Sequence, residues 1–476
     1  MHRNIITSVG IDIGTSTTQV VFANLALDNT SGYFAVPHVK FVGKTVLYKS
    51  PIRFTPLKNH LVLDDEAIRR MVLSEYESAG MSPRDIDTGA VIITGESARK
   101  ENAARLLESL SDLAGEFVVS TAGPDLEAVI AGKGSGAQRI SEERGICVVN
   151  FDIGGGTTNI AAFDDGETIA KGCLDIGGRL IRIEDGGIAY VSGSARRMAS
   201  SIGLALEVGD PASADALRAV CGVMTGLLEQ AAGISEATAL LDETRTPGST
   251  PFAAPERIDA ICFSGGVADC LASAGGPPFR YGDVGPILGE LIAGSGLCRS
   301  FKRITPEETI RATVVGAGSY TTTVSGSTIS HGGGILPIKN IPALKLERAE
   351  QEICFGGCPE YLRERMEWFL RQNDENTMLL AIEGEISPSY SRLKSLASCV
   401  YSAMSSALPE GAPLLIALER DMAKALGQLV ERMASPGRAV ICVDSVHIEP
   451  GDYVDLGHPL MGGLVIPVVV KTLAIG

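Results

Sequence analysis

At 476 residues the chain has room for about three domains, taking roughly 150 residues as a typical domain. Apolar residues make up 45% and charged residues 21%, an ordinary balance for a globular protein with a sizeable core. A formal charge of −16 argues against nucleic acid as a partner, because phosphate backbones select basic faces, while leaving room for a local basic pocket.

No apolar run of signal-peptide length opens the chain. Ile5, Ile6, Val9, Ile11 and Ile13 predict a buried strand ending at Gly14, and residues 19–25 a second strand after a tight turn. Strand-like 36–48 and a helical pattern at 66–78 follow, then a strand at 91–94 and a helix at 98–113. Residues 146–153, 159–163 and the stretch after Asp164-Asp165-Gly166 read as a three-stranded meander. Leu217, Val220, Cys221, Met224, Leu227 and Leu228 recur at helical spacing. Residues 244–256 hold Pro247, Pro251 and Pro255 and read as a surface loop, before a buried strand at 258–263. Gly332-Gly333-Gly334 marks a linker, beyond which strands at 378–382, 414–416 and 439–443 alternate with amphipathic helices. A strand-rich stretch, 453–475, closes an α/β unit. Its apolar run at 464–470 contains Pro467 and is too short to span a bilayer, so no membrane segment is expected. Ten scattered cysteines, with no CxxC pair, point to a reducing compartment and a cytoplasmic protein.

Chemistry concentrates in two hairpins, VGIDIGTSTTQVVFA from Val9 and VNFDIGGGTTNIAAF from Val149. They share Val, Asp, Ile, Gly and the Thr-Thr pair in register, 140 residues apart. In each, an apolar strand delivers an Asp to its end, where a metal-bound phosphate would arrive. The Gly and small hydroxyl residues that follow let successive backbone N–H groups face phosphate oxygens. Two such turns facing one another could clamp a polyphosphate. Other phosphate motifs fail: Gly43-Lys44-Thr45 lacks the upstream Gly of a P-loop because His38 stands there, and Lys133 is followed by Gly134. No GxGxxG follows a strand in a Rossmann setting.

The hairpin pair resembles the two phosphate motifs of the actin, heat-shock-70 and sugar-kinase superfamily. Three further elements agree in order. EAVIAGKGSG from Glu127 resembles the first connecting helix, ICFSGG from Ile261 the adenosine motif, and residues 312–319, with Gly316 and Gly318, the second connecting helix. The resemblance implies an α/β, actin-like ATPase with two ribonuclease-H-like lobes and an additional C-terminal α/β domain. The lobes would span 1–142, with an insert at about 25–90, and 143–330, of which 310–330 returns to the first. The last domain would be 331–476. Asp12 and Asp152 would hold Mg²⁺, mostly through water. Gly14, Thr15, Ser16, Thr17 and Thr18, with Gly154, Gly155, Gly156, Thr157 and Thr158, would hold the phosphates of ATP, and Gly265 and Gly266 the nucleoside. Glu127 would position the hydrolytic water and join the two aspartates as the catalytic set. Alternatively, Glu127 is a solvated helix residue, or Gly123-Pro124 stands at its place and the acid is missing. Arg179-Leu180 replaces acidic residues usual in heat-shock proteins after Gly177-Gly178, and Asn159 replaces another, so weak ATPase activity is expected.

Over most of its length the chain also resembles the reactivating factors of ethanolamine ammonia-lyase, most distinctively in PIRFTP from Pro51, ISPSY from Ile386, and the tail YVDLGHPLMGG from Tyr453 into VVVKT from Val468. That resemblance implies a chaperone-like role in ethanolamine utilisation. ATP binding and hydrolysis would favour a lyase conformation that releases damaged cobalamin, so that intact adenosylcobalamin can enter. Cobalamin would belong to the partner enzyme, since the chain has no D-x-H-x-x-G signature. The family's metabolic setting implies a bacterial microcompartment. The alternatives are a small-molecule kinase of the sugar or acid type, with Glu127 as base, and an actin-like scaffold.

Overall fold

The computed structural model describes residues 4–472 except 16, 30–38, 59–61, 96, 98–99, 111–112, 114–117, 120–122, 273–274, 321–322, 325–334, 374–375, 458 and 460–465. The Gly332-Gly333-Gly334 linker and Ser16 lie outside the described residues, as do parts of the tail motif.

Two sheets repeat one topology. In the first, Asn4–Ile13 pairs antiparallel with Thr17–Asn29, which pairs with Val39–Lys49, while its other edge takes Thr88–Ile93 and then Val118–Val119 in parallel. In the second, Val148–Ile153 pairs with Thr158–Asp164 and then Glu167–Leu174, and its other edge takes Ala260–Ser264 and Lys302–Ile304 in parallel. Each is a three-strand meander extended by two parallel strands, the ribonuclease-H-like arrangement. The central strands are buried on both faces and are therefore mostly apolar, their few polar residues buried as well.

Each sheet has its own core. Val9, Ile11 and Ile13 pack with Phe22 and with Ile68, Val72 and Tyr76 of the helix Asp65–Ala79. That helix starts where Asp64 accepts a hydrogen bond from the Ala67 N–H and stops at Gly80, in the left-handed conformation. The stretch read as an insert thus supplies a strand and a core helix of the first lobe. In the second lobe Val149, Phe151 and Ile153 pack against Leu217, Val220 and Met224 of the helix Ala214–Ala231. The helix predicted at 98–113 is described as Ala103–Leu110.

The predicted surface loop at 244–256 is pinned rather than free. Thr244 and Thr246 are buried, and the Thr246 hydroxyl donates to Asp175 at 2.7 Å. The Ser249 and Thr250 hydroxyls donate to the Asp125 carboxylate at 2.7 and 2.8 Å. Proline spacing marked the turns here but carried no information about these side-chain partners.

A third sheet runs Thr323–Val324, Pro467–Thr472, Asp452–Leu456, Ile338–Lys345, Leu379–Ile382, Leu414–Leu418, Val440–Val443. Its last four strands are parallel and alternate in the chain with helices that include Pro359–Asn373, Tyr390–Ala407 and Ala423–Met433. Period-two alternation sends Leu380 and Ile382 into one core and Leu379 and Ala381 into another. Among the described residues no helix is long and apolar enough to cross a membrane.

Two helices cross between the first two lobes. Pro124–Gly134 packs on the second sheet and Ala312–Tyr320 on the first, and the two pack on each other. Their contact is backbone against backbone. A Cβ at Gly134 would lie 1.8 Å from the Ala312 carbonyl oxygen, and one at Gly316 would lie 2.0 Å from that of Ile130. Gly316→Ala is therefore expected to lower stability by about 1–3 kcal/mol through overpacking. Gly222→Ala, on the exposed face of Ala214–Ala231 with nothing within 4 Å of the added carbon, is expected to raise it by about 0.5–1 kcal/mol. Denaturant midpoints of the two variants should move in opposite directions.

Candidate nucleotide cleft

The repeated hairpins deliver their aspartates to matching places. Asp12 faces Gln19 across one antiparallel pair and Asp152 faces Asn159 across the other. Both turns close alike: the Gly14 N–H donates to the Thr17 carbonyl, and the Gly154 N–H to the Thr157 carbonyl, each at 2.9 Å. The neighbouring parallel strands complete the match. Thr94 donates to Asp12 Oδ1 at 3.1 Å and Ser264 to Asp152 Oδ1 at 2.6 Å, and the next residues, Gly95 and Gly265, have φ of +58° and +83°. A Cβ at Gly265 would lie 2.4 Å from the Ile153 carbonyl oxygen, so this position admits glycine alone.

Both turns and both aspartates open onto one cleft with a cavity volume of about 340 Å³. Of the residues singled out in the sequence, Asp12, Glu127, Asp152, Gly14, Thr15, Thr17, Gly154, Gly155, Gly156, Thr157, Gly265 and Gly266 line it. Thr18 and Thr158 do not. Strand alternation turns them inward, where Thr18 is hydrogen-bonded to Thr55 at 3.1 Å and Thr158 donates to the Ile176 carbonyl at 2.8 Å. They support the turns and leave the cleft to their neighbours.

Glu127 is no solvated residue. It sits buried in the first turn of Pro124–Gly134, hydrogen-bonded by Asn159 and the Gly95 N–H, within the field of both aspartates. Burial first, then the two like charges, raise its pKa well above the ordinary carboxylate value. Burial likewise lifts Asp12 from 3.8 to about 7, against the Thr94 hydrogen bond, and Asp152 from 3.8 to about 6. Four buried carboxyls line the cleft, the three above at its centre and Asp283 toward its rim, with Arg179 as the sole Lys or Arg among its described lining residues, and together they form a site suited to a cation. Among the described residues no group of three His, Cys, Asp or Glu could hold a metal ion unaided. A divalent ion at the aspartates would therefore draw its other ligands from water and phosphate, as Mg²⁺ commonly does. The Gln19 Oε1 and Asn159 Oδ1 atoms are buried without a hydrogen-bond partner, and both residues line the cleft.

Sequence reasoning passed over Thr94-Gly95, Thr313, Asp283 and the placement of Ile52 and Phe54. Thr313 donates to Asp152 Oδ2 at 3.4 Å from the second crossing helix, and Asp283 accepts from the Gly285 N–H at 2.9 Å beside the adenosine-type turn. The signal for the first was present: Ile92-Ile93-Thr94-Gly95 follows the pattern of Cys262-Phe263-Ser264-Gly265, two apolar residues, a hydroxyl and a glycine.

Twin ribonuclease-H-like lobes, crossed helices and an acid-lined cleft between repeated turns define a protein of the actin-like ATPase fold. The chain belongs to the ethanolamine utilisation protein EutA family, whose model matches residues 4–476. It is 35% identical over 488 residues to the ethanolamine ammonia-lyase reactivase EutA of Salmonella typhimurium, covering 100% of this chain and 99% of that one. The protein of the same name from Escherichia coli is 34% identical over 484 residues, with 100% and 99% covered. Among solved structures, the ethanolamine utilization protein EutJ from Carboxydothermus hydrogenoformans matches 66% of this chain and 90% of its own, at 16% identity and a TM-score of 0.30.

An acid whose pKa rises on folding binds more protons folded than unfolded. The stability it contributes is complete below the unfolded pKa and is lost as pH rises through the folded value. Without Mg²⁺ and nucleotide, the chain should therefore lose thermal stability as pH climbs from about 4 through the values of about 6 and about 7 at Asp152 and Asp12. Asp12→Asn should remove part of that loss, on the order of a few kcal/mol. Thermal unfolding in chelator from pH 5 to 8 checks this, and parallel curves for the two proteins would contradict it.

Proposed function

We propose that this chain is an ATP-dependent reactivating factor for ethanolamine ammonia-lyase, which it induces to release damaged cobalamin. One observation carries the nucleotide part: aspartates at equivalent strand ends of two repeated hairpins share a single cleft with the glycine turns that follow them. Full-length similarity to reactivases supports the choice of client.

In this scheme Asp12 and Asp152 hold Mg²⁺, whose charge would offset theirs and that of the phosphates. The backbone N–H groups of the two turns grip phosphate oxygens from opposite lobes. Gly265 and Gly266 bring the main chain close to the nucleoside. Glu127, held by Asn159 and Gly95 and kept more basic than a free carboxylate, orients water for attack on the terminal phosphate. Each lobe grips the same ligand, so binding favours a closed arrangement over an open one. A bias of a few kcal/mol is enough to move a partner between two conformations. Adenosylcobalamin remains a property of the lyase.

The test is recovery of cobalamin-inactivated ethanolamine ammonia-lyase in the presence of this chain, ATP, Mg²⁺ and fresh adenosylcobalamin. Asp12→Asn and Asp152→Asn should each weaken Mg-ATP binding and abolish recovery. Undiminished recovery in both would show the site to be misassigned. Glu127→Gln should bind Mg-ATP but hydrolyse it about a hundredfold or more slowly. Appearance of a phosphorylated small molecule in place of recovery would point to a kinase.

A further inference from the structure

The PIRFTP segment from Pro51 lies at the mouth of the cleft. Arg53–Phe54 forms a short strand paired with Thr17 and Thr18 of the first phosphate hairpin. Three side chains fix it there. Arg53 Nε reaches the buried Glu75 carboxylate at 2.9 Å, and the Tyr48 hydroxyl donates to the same group at 2.6 Å. The Thr55 hydroxyl donates to the Gly14 carbonyl at 2.8 Å, inside the phosphate turn itself.

Phe54 is 67% exposed on this rigid mount, an unusual place for a phenyl ring. The Arg179 guanidinium of the opposite lobe lies over it, 5.1 Å from the ring centroid. Arg179 is mounted as firmly as its partner. Its N–H donates to the Gly155 carbonyl at 2.7 Å, and the Gly178 N–H to the Gly154 carbonyl at 3.0 Å, so the residue rides on the second phosphate turn. A Cβ at Gly177 would lie 2.4 Å from the Gly155 carbonyl oxygen, which keeps the two segments in register.

We propose that Phe54 and Arg179 form a cross-cleft latch that retains nucleotide, each half fastened to the phosphate turn of its own lobe. The latch rests on the nucleotide reading above and deepens it. Phosphate gripped between the turns draws the two mounts together and closes the ring–guanidinium contact over the mouth. Loss of the terminal phosphate relaxes the turns and parts the contact. Arg179 is thereby a positioning residue that sets the lifetime of the bound state.

The experiment measures release of the N-methylanthraniloyl derivative of ATP, bound with Mg²⁺ to the full chain and displaced by excess ATP in a stopped-flow instrument. Phe54→Ala and Arg179→Met should each release it about two- to fivefold faster, the range one exposed cation–π contact supports. The double variant should release it no faster than the faster single, and Phe54→Tyr should keep the slow rate. Unchanged release in both single variants, with binding by the unsubstituted chain intact, overturns the latch alone. Fully multiplicative effects in the double variant overturn it too, since the residues would then act separately. Failure of the unsubstituted chain to bind the probe, or the unlabelled ATP used to displace it, removes the nucleotide site and the latch together.

Discussion

Three carboxyl groups held out of water around one cleft are the constraint on which this molecule turns. Asp12, Asp152 and Glu127 come from different elements, yet each lies within reach of the others' charge. Burial opposes the ionisation of all three and raises their pKa values, and like charge adds to it at Asp12 and Glu127. A cation bound there would offset that cost by giving the carboxylates a shared partner. Folding therefore stores an unfavourable arrangement that ligand binding relieves.

The surroundings keep that arrangement from collapsing. Thr94 and Ser264 each present a hydroxyl to one aspartate, so the carboxylates stay aimed at the cleft. Behind them the crossing helices meet through Gly134 and Gly316 with no side chain between them. Contact this close leaves the two backbones little freedom to slide or part.

Much of this was legible in the sequence, because the features that mattered were local. An apolar run ending in Asp and Gly determines a strand, a turn and the direction of a carboxylate, and the second copy identified the first as more than a hairpin. Resemblance assigned Glu127 to the cleft, but spacing along the helix left a solvated residue open as well, since its hydrogen bonds to Gly95 and Asn159 come from two other segments. Thr18 and Thr158 were overread because a repeated Thr-Thr pair looks functional in both members, whereas a strand can show only alternate residues to one side. PIRFTP carried no decipherable chemistry alone. Its meaning lies in pairing with Thr17 and Thr18 and in an arginine more than a hundred residues away, long-range facts that spacing along a chain does not encode.

Among the differences between the two halves, one concerns the crossing helices. Where Pro124–Gly134 contributes an acid, the partner helix contributes Thr313, a hydroxyl occupied with Asp152. Matched grips on either side treat the two ends of a linear ligand alike. A lone acid between them does not. Symmetry would thus supply the hold, and this broken correspondence would give a held ligand a head and a tail.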